Sequence, residues 1–417
     1  MRILHTSDWH LGRAFHGASL LDEQAEMVDR VVALAVEHQV ELVVIAGDLF
    51  DRAIPPAPAV DLLDDALARL HATGARVAAI SGNHDSAVRV RVNDRLLNEM
   101  GVAVRGQVAR VDEPLMIEHP ADGGPPVAVY LIPYLEPAVD IAVLEVGLAV
   151  HDVAHDPSDD VSGATTGTAP RPRARQDLAM RLATEHVRRH LAARTAEVGR
   201  TRSVVVAHGF VAGGAVSDSE RDLSIGGSER VGVDAFDGFD VVALGHLHQP
   251  QEMAGARLAY SGSPLPYSFS EEGQVKSVRL VDLAPDGSVT AEVIPLQVGR
   301  RVVTLTGTLV RLLGDPALDD VADARIRALL TDPHLPNQAM ARLRQRFPHA
   351  VELRHQPEGV DPAARHAVAS LATIEDATPL ELALQFWAEQ QGAEATAEER
   401  AVLHAALVAT APAGDAP

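Results

Sequence analysis

The 417-residue chain contains no cysteine. That excludes disulfides, thiolate metal sites and cysteine nucleophiles, so any metal must sit on nitrogen and oxygen donors, and the composition suits a reducing compartment. Lysine is almost absent too, Lys276 being the only one, and the remaining cationic groups are arginines able to pair with phosphate in bidentate fashion. Genomic composition would produce the same bias. Long apolar runs are also missing. The opening stretch Met1 to Asp8 is far too short for a signal peptide and no later run is long enough for a bilayer, so the expectation is a cytoplasmic protein without membrane contact. Nor is there an excess of positive charge. A formal net charge of −22 argues against a free-standing protein that holds nucleic acid by bulk electrostatics. Either the acid is neutralised locally by metal or a partner supplies the grip.

What is present is an apolar fraction of 47%, enough for one large domain with one or two smaller ones. Short apolar runs alternate with amphipathic stretches: Ile3 to His5, a helix-like segment from Glu23 to Gln39, Leu42 to Ala46, a second from Ala57 to Thr73, then Val77 to Ile80. This is a βαβαβ opening and predicts an α/β layered domain. The pattern returns with a helix over Gln176 to Arg194 and strands at Ser203 to Ala207 and Val241 to Leu244. Between His151 and Arg175, Asp, Gly, Thr, Pro and Ala without apolar periodicity predict a mobile loop. Val278 to Leu283 and Val289 to Ile294 read as a closing hairpin around Pro285-Asp286-Gly287.

The period changes after Gln297, which sets the expected domains at residues 1–297, 298–370 and 371–417. The middle block reads strand, helix, helix, strand. From Gly299 to Arg365 it holds ten arginines against eight acids, with Arg342, Arg344 and Arg346 on one predicted helix. In the tail, Thr378-Pro379-Leu380-Glu381 and Thr396-Ala397-Glu398-Glu399 are capping boxes that open two short helices, the first ended by Gly392. Leu380, Leu384 and Trp387 form one apolar stripe, and Leu403 and Leu407 another.

Five clusters of metal-ligand residue types each follow a strand-like run: Asp8-Trp9-His10, Gly47-Asp48-Leu49-Phe50-Asp51, Gly82-Asn83-His84-Asp85, Ala207-His208-Gly209 and Gly245-His246-Leu247-His248. Open α/β sheets build their sites at the carboxyl ends of strands. Alternation along an extended chain would aim Asp8 with His10, and His246 with His248, into one cavity. Any one of these strings alone is an ordinary turn; five in this order are not. Carboxylate, amide oxygen and imidazole together suit manganese, iron or zinc. Two such ions about 3.5–4 Å apart would clamp the attacking and leaving oxygens of a phosphodiester.

Leu4 to Arg13, Ala46 to Asp51, Ile80 to Asp85, Gly245 to His248 and Ser261-Gly262-Ser263-Pro264 together resemble the calcineurin-like metallophosphoesterases, and within them the nuclease subunits of bacterial double-strand-break processing complexes. The resemblance extends over nearly the whole chain and implies a four-layer α/β sandwich with a small α+β capping domain and a C-terminal helical hairpin. Carried over by motif, it implies one metal on Asp8, His10, Asp48 and His248. It implies a second on Asn83, His208 and His246, bridged by Asp48. His84 would be the non-ligand acid or transition-state stabiliser. The ions would be two divalent cations, manganese first, with magnesium or iron as alternatives. Some relatives outside bacteria carry a second active-site histidine where this chain has Asp51. The block after Gly299 is similar to a DNA-capping domain, and the tail to a segment gripping an SbcC-like ATPase subunit, in a heterotetramer built on a nuclease homodimer. Two other readings stay open on the residues: a phosphomonoesterase or cyclic-nucleotide phosphodiesterase of the same fold, and a non-catalytic scaffold.

Overall fold

The computed structural model describes residues 1–155, 176–217, 220, 230–357, 378–391 and 394–410. The chain forms two compact units, Met1–Val302 and Val303–Pro417. The first opens with β1 (Arg2–Thr6), a small β2–β3 hairpin (Ala14–Phe15 with Ala18–Ser19), α1 (Leu21–Glu37), β4 (Leu42–Ile45), α2 (Ala57–Ala72) and β5 (Arg76–Ile80). The expected βαβαβ opening is therefore present. Next come α3 (Ala87–Val90), α4 (Asp94–Glu99), β6 (Val102–Arg105), β7 (Leu115–Ile117), β8 (Val127–Ile132), α5 (Pro137–His155) and α6 (Gln176–Val198). The unit continues with β9 (Arg202–His208), β10 (Val241–Gly245), β11 (Gln251–Glu252), β12 (Leu258–Tyr260), β13 (Ser277–Leu283) and β14 (Val289–Pro295).

The strands make two six-stranded sheets, ordered β14-β13-β1-β4-β5-β6 and β11-β12-β10-β9-β8-β7. Alternation explains why they stack. In β4, Leu42 and Val44 face the layer between the sheets while Val43 and Ile45 face the core shared with α1 and α2. In β8, Val127, Val129 and Leu131 face the same central layer, and Ala128, Tyr130 and Ile132 pack with Ala179, Met180 and Val187 of α6. Strands apolar on both faces must be covered on both, and the result is helix, sheet, sheet, helix. Each fully buried Val or Leu contributes roughly 1.5–3 kcal/mol. Two buried cross-links pin the sheets at their site end: His5 Nε2 donates to Leu244 O at 3.0 Å and His208 Nδ1 to Ala46 O at 2.8 Å.

α5 continues through His155, so His151 to His155 are helical where the sequence predicted loop. The rest of that predicted loop, 156–175, lies outside the described residues.

The second unit contains β15 (Val302–Gly307), α7 (Leu309–Gly314), β16 (Arg325–Leu330), α8 (Ala339–Arg346) and β17 (Ala350–His355), with the sheet ordered β15-β16-β17. The sequence reading missed β16, the central strand, because Arg325 and Arg327 disguise its alternation; Ile326, Ala328 and Leu330 are the buried face. Two of the three α8 arginines are committed inside the unit. Arg344 Nε donates to Ala350 O at 3.0 Å, and Arg346 donates to Leu312 O at 2.9 Å and to Asp319 Oδ1 at 2.7 Å. Arg342 is exposed.

Both tail capping boxes form, ahead of α9 (Pro379–Gln391) and α10 (Ala397–Thr410). Thr378 N–H donates to Glu381 Oε2 at 2.7 Å and Thr396 N–H to Glu399 Oε2 at 2.8 Å. Gly392 lies outside the described residues. Leu380, Leu384, Trp387, Leu403 and Leu407 are only half-buried, and Phe386 and Val402 are 64% and 68% exposed. No helix among the described residues is long and apolar enough to cross a membrane.

Candidate metal centre

All seven expected ligands stand at the carboxyl ends of strands where the two sheets meet. Asp8 and His10 follow β1, Asp48 follows β4, Asn83 follows β5, His208 ends β9, and His246 and His248 follow β10. The extended alternation expected for Asp8 and His10 is not how they converge. Asp8, His10, Asp48 and His246 have φ of 54°, 44°, 48° and 109°, backbone conformations that L-residues seldom adopt. Strain of this kind, of order 1–3 kcal/mol per residue, persists where the surroundings impose it and concentrates at functional sites. Two glycines permit the crowding: a Cβ on Gly47 would lie 2.3 Å from His208 Nδ1, and one on Gly245 only 1.8 Å from Ala46 O.

The ligand atoms of Asp8, His10 and His248 lie within 4.8 Å of one another, as do those of Asp8, Asp48 and His208, and those of His10, Asp48 and His84. Asp48 Oδ2 is 3.6 Å from both His10 Nε2 and His208 Nε2. Its other oxygen accepts the His84 N–H at 2.9 Å. Asn83 Oδ1 is 2.9 Å from His208 Nε2 and 3.1 Å from His246 Nδ1. His10 and His248 bring their Nε2 atoms to 3.2 Å. His84 Nδ1 donates to Asp51 O at 2.8 Å, and its ring meets His10 edge-on at 4.7 Å between centroids. The structure thus brings together all eight residues singled out from the sequence.

The electrostatics fit cations. Burial pulls His10 well below the ordinary histidine range, lowers His208, and takes His246 down to about 3, so these imidazoles are neutral and carry a lone pair. Burial first, and Asp48 second, push Asp8 well above the usual carboxylate range. The same two causes raise Asp85 to about 7. His10 Nδ1 and Asn83 Nδ2 are buried without a hydrogen-bond partner among the described residues. Convergent neutral imidazoles facing mutually repelling carboxylates form a donor set that a divalent cation satisfies, and without sulfur it suits manganese, iron or zinc.

Several supporting residues have roles that the sequence does not assign. Asp85 accepts the N–H groups of Gly82, Leu49 and Phe50 at 2.8–2.9 Å and so ties the second motif to the third. Ser7 Oγ donates to Asp8 Oδ2 at 2.6 Å and meets Ser261 Oγ at 2.8 Å, which explains the Ser-Gly-Ser-Pro string. Gln24 on α1 donates to His10 O at 2.7 Å and accepts the Gly12 N–H at 2.9 Å. Glu271 lies 3.2 Å from His248 Nδ1. Ser7, Asp85 and Ser261 stood inside the quoted motifs and Lys276, which pairs with Glu271, stood out as the sole lysine; Gln24 and Glu271 carried no signal.

Residues 1–250 match the family described as calcineurin-like phosphoesterase. The chain belongs to the calcineurin-like phosphoesterase family. Among curated phosphoesterase relatives, the SbcCD nuclease subunit of Bacillus subtilis (strain 168) is 36% identical over 309 residues, spanning 73% of this chain and 71% of the relative. Two solved structures, TT1561 of Thermus thermophilus and a dimetal phosphatase from Danio rerio, each match 71% of this phosphoesterase at 14% identity. They have TM-scores of 0.37 and 0.38, over 99% and 96% of their own chains.

Proposed function

We propose that this chain is a metal-dependent DNA nuclease subunit of the SbcCD type, hydrolysing phosphodiesters at duplex ends, hairpins and single strands together with an SbcC-like ATPase. The 36% identity over 309 residues to a curated SbcCD nuclease subunit carries the reading, and all five clusters of candidate ligands fall inside the family match. One ion is assigned to Asp8, His10, Asp48 and His248, and a second to Asn83, His208 and His246, with Asp48 shared. Manganese is the assigned metal. Two bound divalent ions supply Lewis acidity, polarising the phosphodiester and activating water for attack.

The chain's own residues do the rest. Asp48 Oδ1 is tied to the His84 backbone, which directs Oδ2 between the two groups of histidines. With its Nδ1–H given to Asp51 O, His84 keeps Nε2 for the substrate, where a proton neutralises developing charge or is passed to the leaving oxygen. Asp51 positions His84 through its main-chain carbonyl, while its carboxylate pairs with Arg13 at 3.1 Å.

The net charge of −22 requires help in gripping DNA. Exposed Arg342 in the second unit suits a capping role, and the half-buried stripes of α9 and α10 suit docking on a coiled-coil partner, with Trp387 as anchor. For the homodimer, Val88 on α3, Val92 in the turn after it, Leu96 on α4 and Met100 at its end supply exposed apolar residues, 65%, 61%, 66% and 57% accessible. The cytoplasm is the assigned location.

The deciding experiment offers single-stranded circular DNA and a chromogenic phosphomonoester side by side with manganese. Cleavage of the DNA and indifference to the monoester are expected; the reverse preference overturns the reading in favour of a phosphatase.

A further inference from the structure

Of the 36 lysines and arginines, 35 are arginine, and the one lysine, Lys276, is buried just before β13. A buried ammonium in a chain that otherwise uses guanidinium points to a place only the smaller cation fits. Lys276 Nζ donates to His248 O at 3.1 Å, Ser263 Oγ at 2.9 Å and Gln274 Oε1 at 3.0 Å, and pairs with the Glu271 carboxylate. These acceptors surround a point, which suits a compact rotatable donor and not a planar fork. Glu271 is itself buried, and its second oxygen lies 3.2 Å from His248 Nδ1.

Lys276 thus holds the same histidine twice, through its main-chain carbonyl and, by way of Glu271, through its ring. We propose that Glu271 and Lys276 are positioning residues for His248. Glu271 accepts the Nδ1–H and fixes the tautomer whose Nε2 lone pair faces the metal position, while Lys276 locks both the carboxylate and the backbone beneath the ring. This rests on the assignment of His248 as a ligand. His10, opposite, is held by Gln24 at its carbonyl but not at its ring: its Nδ1 has no hydrogen-bond partner among the described residues, and Asp51 stands off at 3.9 Å. A carboxylate behind a ligating imidazole orients the ring and raises its basicity, and its loss typically costs about 10–100-fold in metal affinity.

Manganese titration calorimetry on the metal-free full-length chain tests this, comparing wild type with Glu271→Gln, Lys276→Met and His248→Ala. Wild type takes up two ions, and His248→Ala loses one of them. In Glu271→Gln and Lys276→Met, one of the two sites weakens by about 10–100-fold and the other changes little. Two unweakened sites in both of those folded variants overturn the proposal and leave the ligand assignment standing. Fewer than two ions in wild type, or unchanged binding by His248→Ala, overturns the ligand assignment instead. Should the two variants not fold, ¹⁵N NMR of histidine-labelled, metal-free wild type decides: His248 is expected as the Nδ1–H tautomer, and the Nε2–H tautomer refutes the role of Glu271.

Discussion

Asp48 and His84 are joined through the backbone, the His84 N–H donating to Asp48 Oδ1 at 2.9 Å, so the proposed bridging carboxylate and the proposed phosphate-facing histidine cannot move independently.

Replacing Asp48 with alanine removes the one oxygen that stands 3.6 Å from a histidine of each proposed metal set. The expected outcome of Asp48→Ala is loss of hydrolysis and fewer than two ions per chain by elemental analysis. Full occupancy would sink the shared-ligand assignment.

For His84→Ala, the backbone N–H that holds Asp48 survives while the imidazole is lost. Two bound metals and retained DNA binding are expected, with cleavage slowed by about 10²–10⁴-fold. Single-turnover rates at saturating manganese check this, and near wild-type turnover would reduce His84 to a turn residue.

His5 is buried neutral, its pKa pulled to about 3 by burial and then by Arg279, from an ordinary 6.5. As pH falls below 6.5 the unfolded chain takes up this proton and the folded chain does not. Its contribution to stability is complete above that pH and is lost progressively down to about 3, at up to ~1.4 kcal/mol per pH unit. Asp85, raised to about 7, runs the other way, favouring the folded state as pH drops from 7 toward 3.8. His5→Gln removes only the first effect. Denaturant titrations of the metal-free protein between pH 6 and 4 are expected to show a slope shallower by about one proton than wild type. An unchanged slope would mean that His5 does not titrate as the fold implies.

Removal of residues 371–417 takes away both capped helices and their half-buried stripes. Manganese-dependent cleavage of single-stranded DNA is expected to persist, while co-purification with the proposed ATPase partner and ATP-dependent attack on duplex ends are lost. If the shortened chain still co-purifies at the wild-type ratio, the partner contact lies elsewhere.

The candidate site was legible because its proposed ligands come in short strings after apolar strands, and the glycines at 47, 82 and 245 mark where the backbone turns. Gln24 and Glu271 were not, and Ser7 and Asp85 stood in the motifs without a role, since each acts through a neighbour brought close by the fold, as when Asp85 accepts three N–H groups from two separate loops. In the fold, strands apolar on both faces were easily read. β16 was not, because Arg325 is buried at 4% exposure and a sequence pattern treats arginine as a surface residue. The expected geometry of Asp8 and His10 erred for a related reason: positive φ at non-glycine residues is imposed by packing and has no signature in composition.

The cross-links from His5 to Leu244 and from His208 to Ala46 run between sheets that divide the proposed ligands, Asp8, His10, Asp48 and Asn83 on one side and His208, His246 and His248 on the other. The centre is a clasp across a seam, and neither half holds a complete set. Occupancy is then linked to cohesion of the whole sandwich: a ligand at 100 times its Kd adds about 2.7 kcal/mol to the folded state. Chelation would loosen this seam first, and a lesion far from the reacting phosphate that lets the sheets slide would surface as a defect in metal retention.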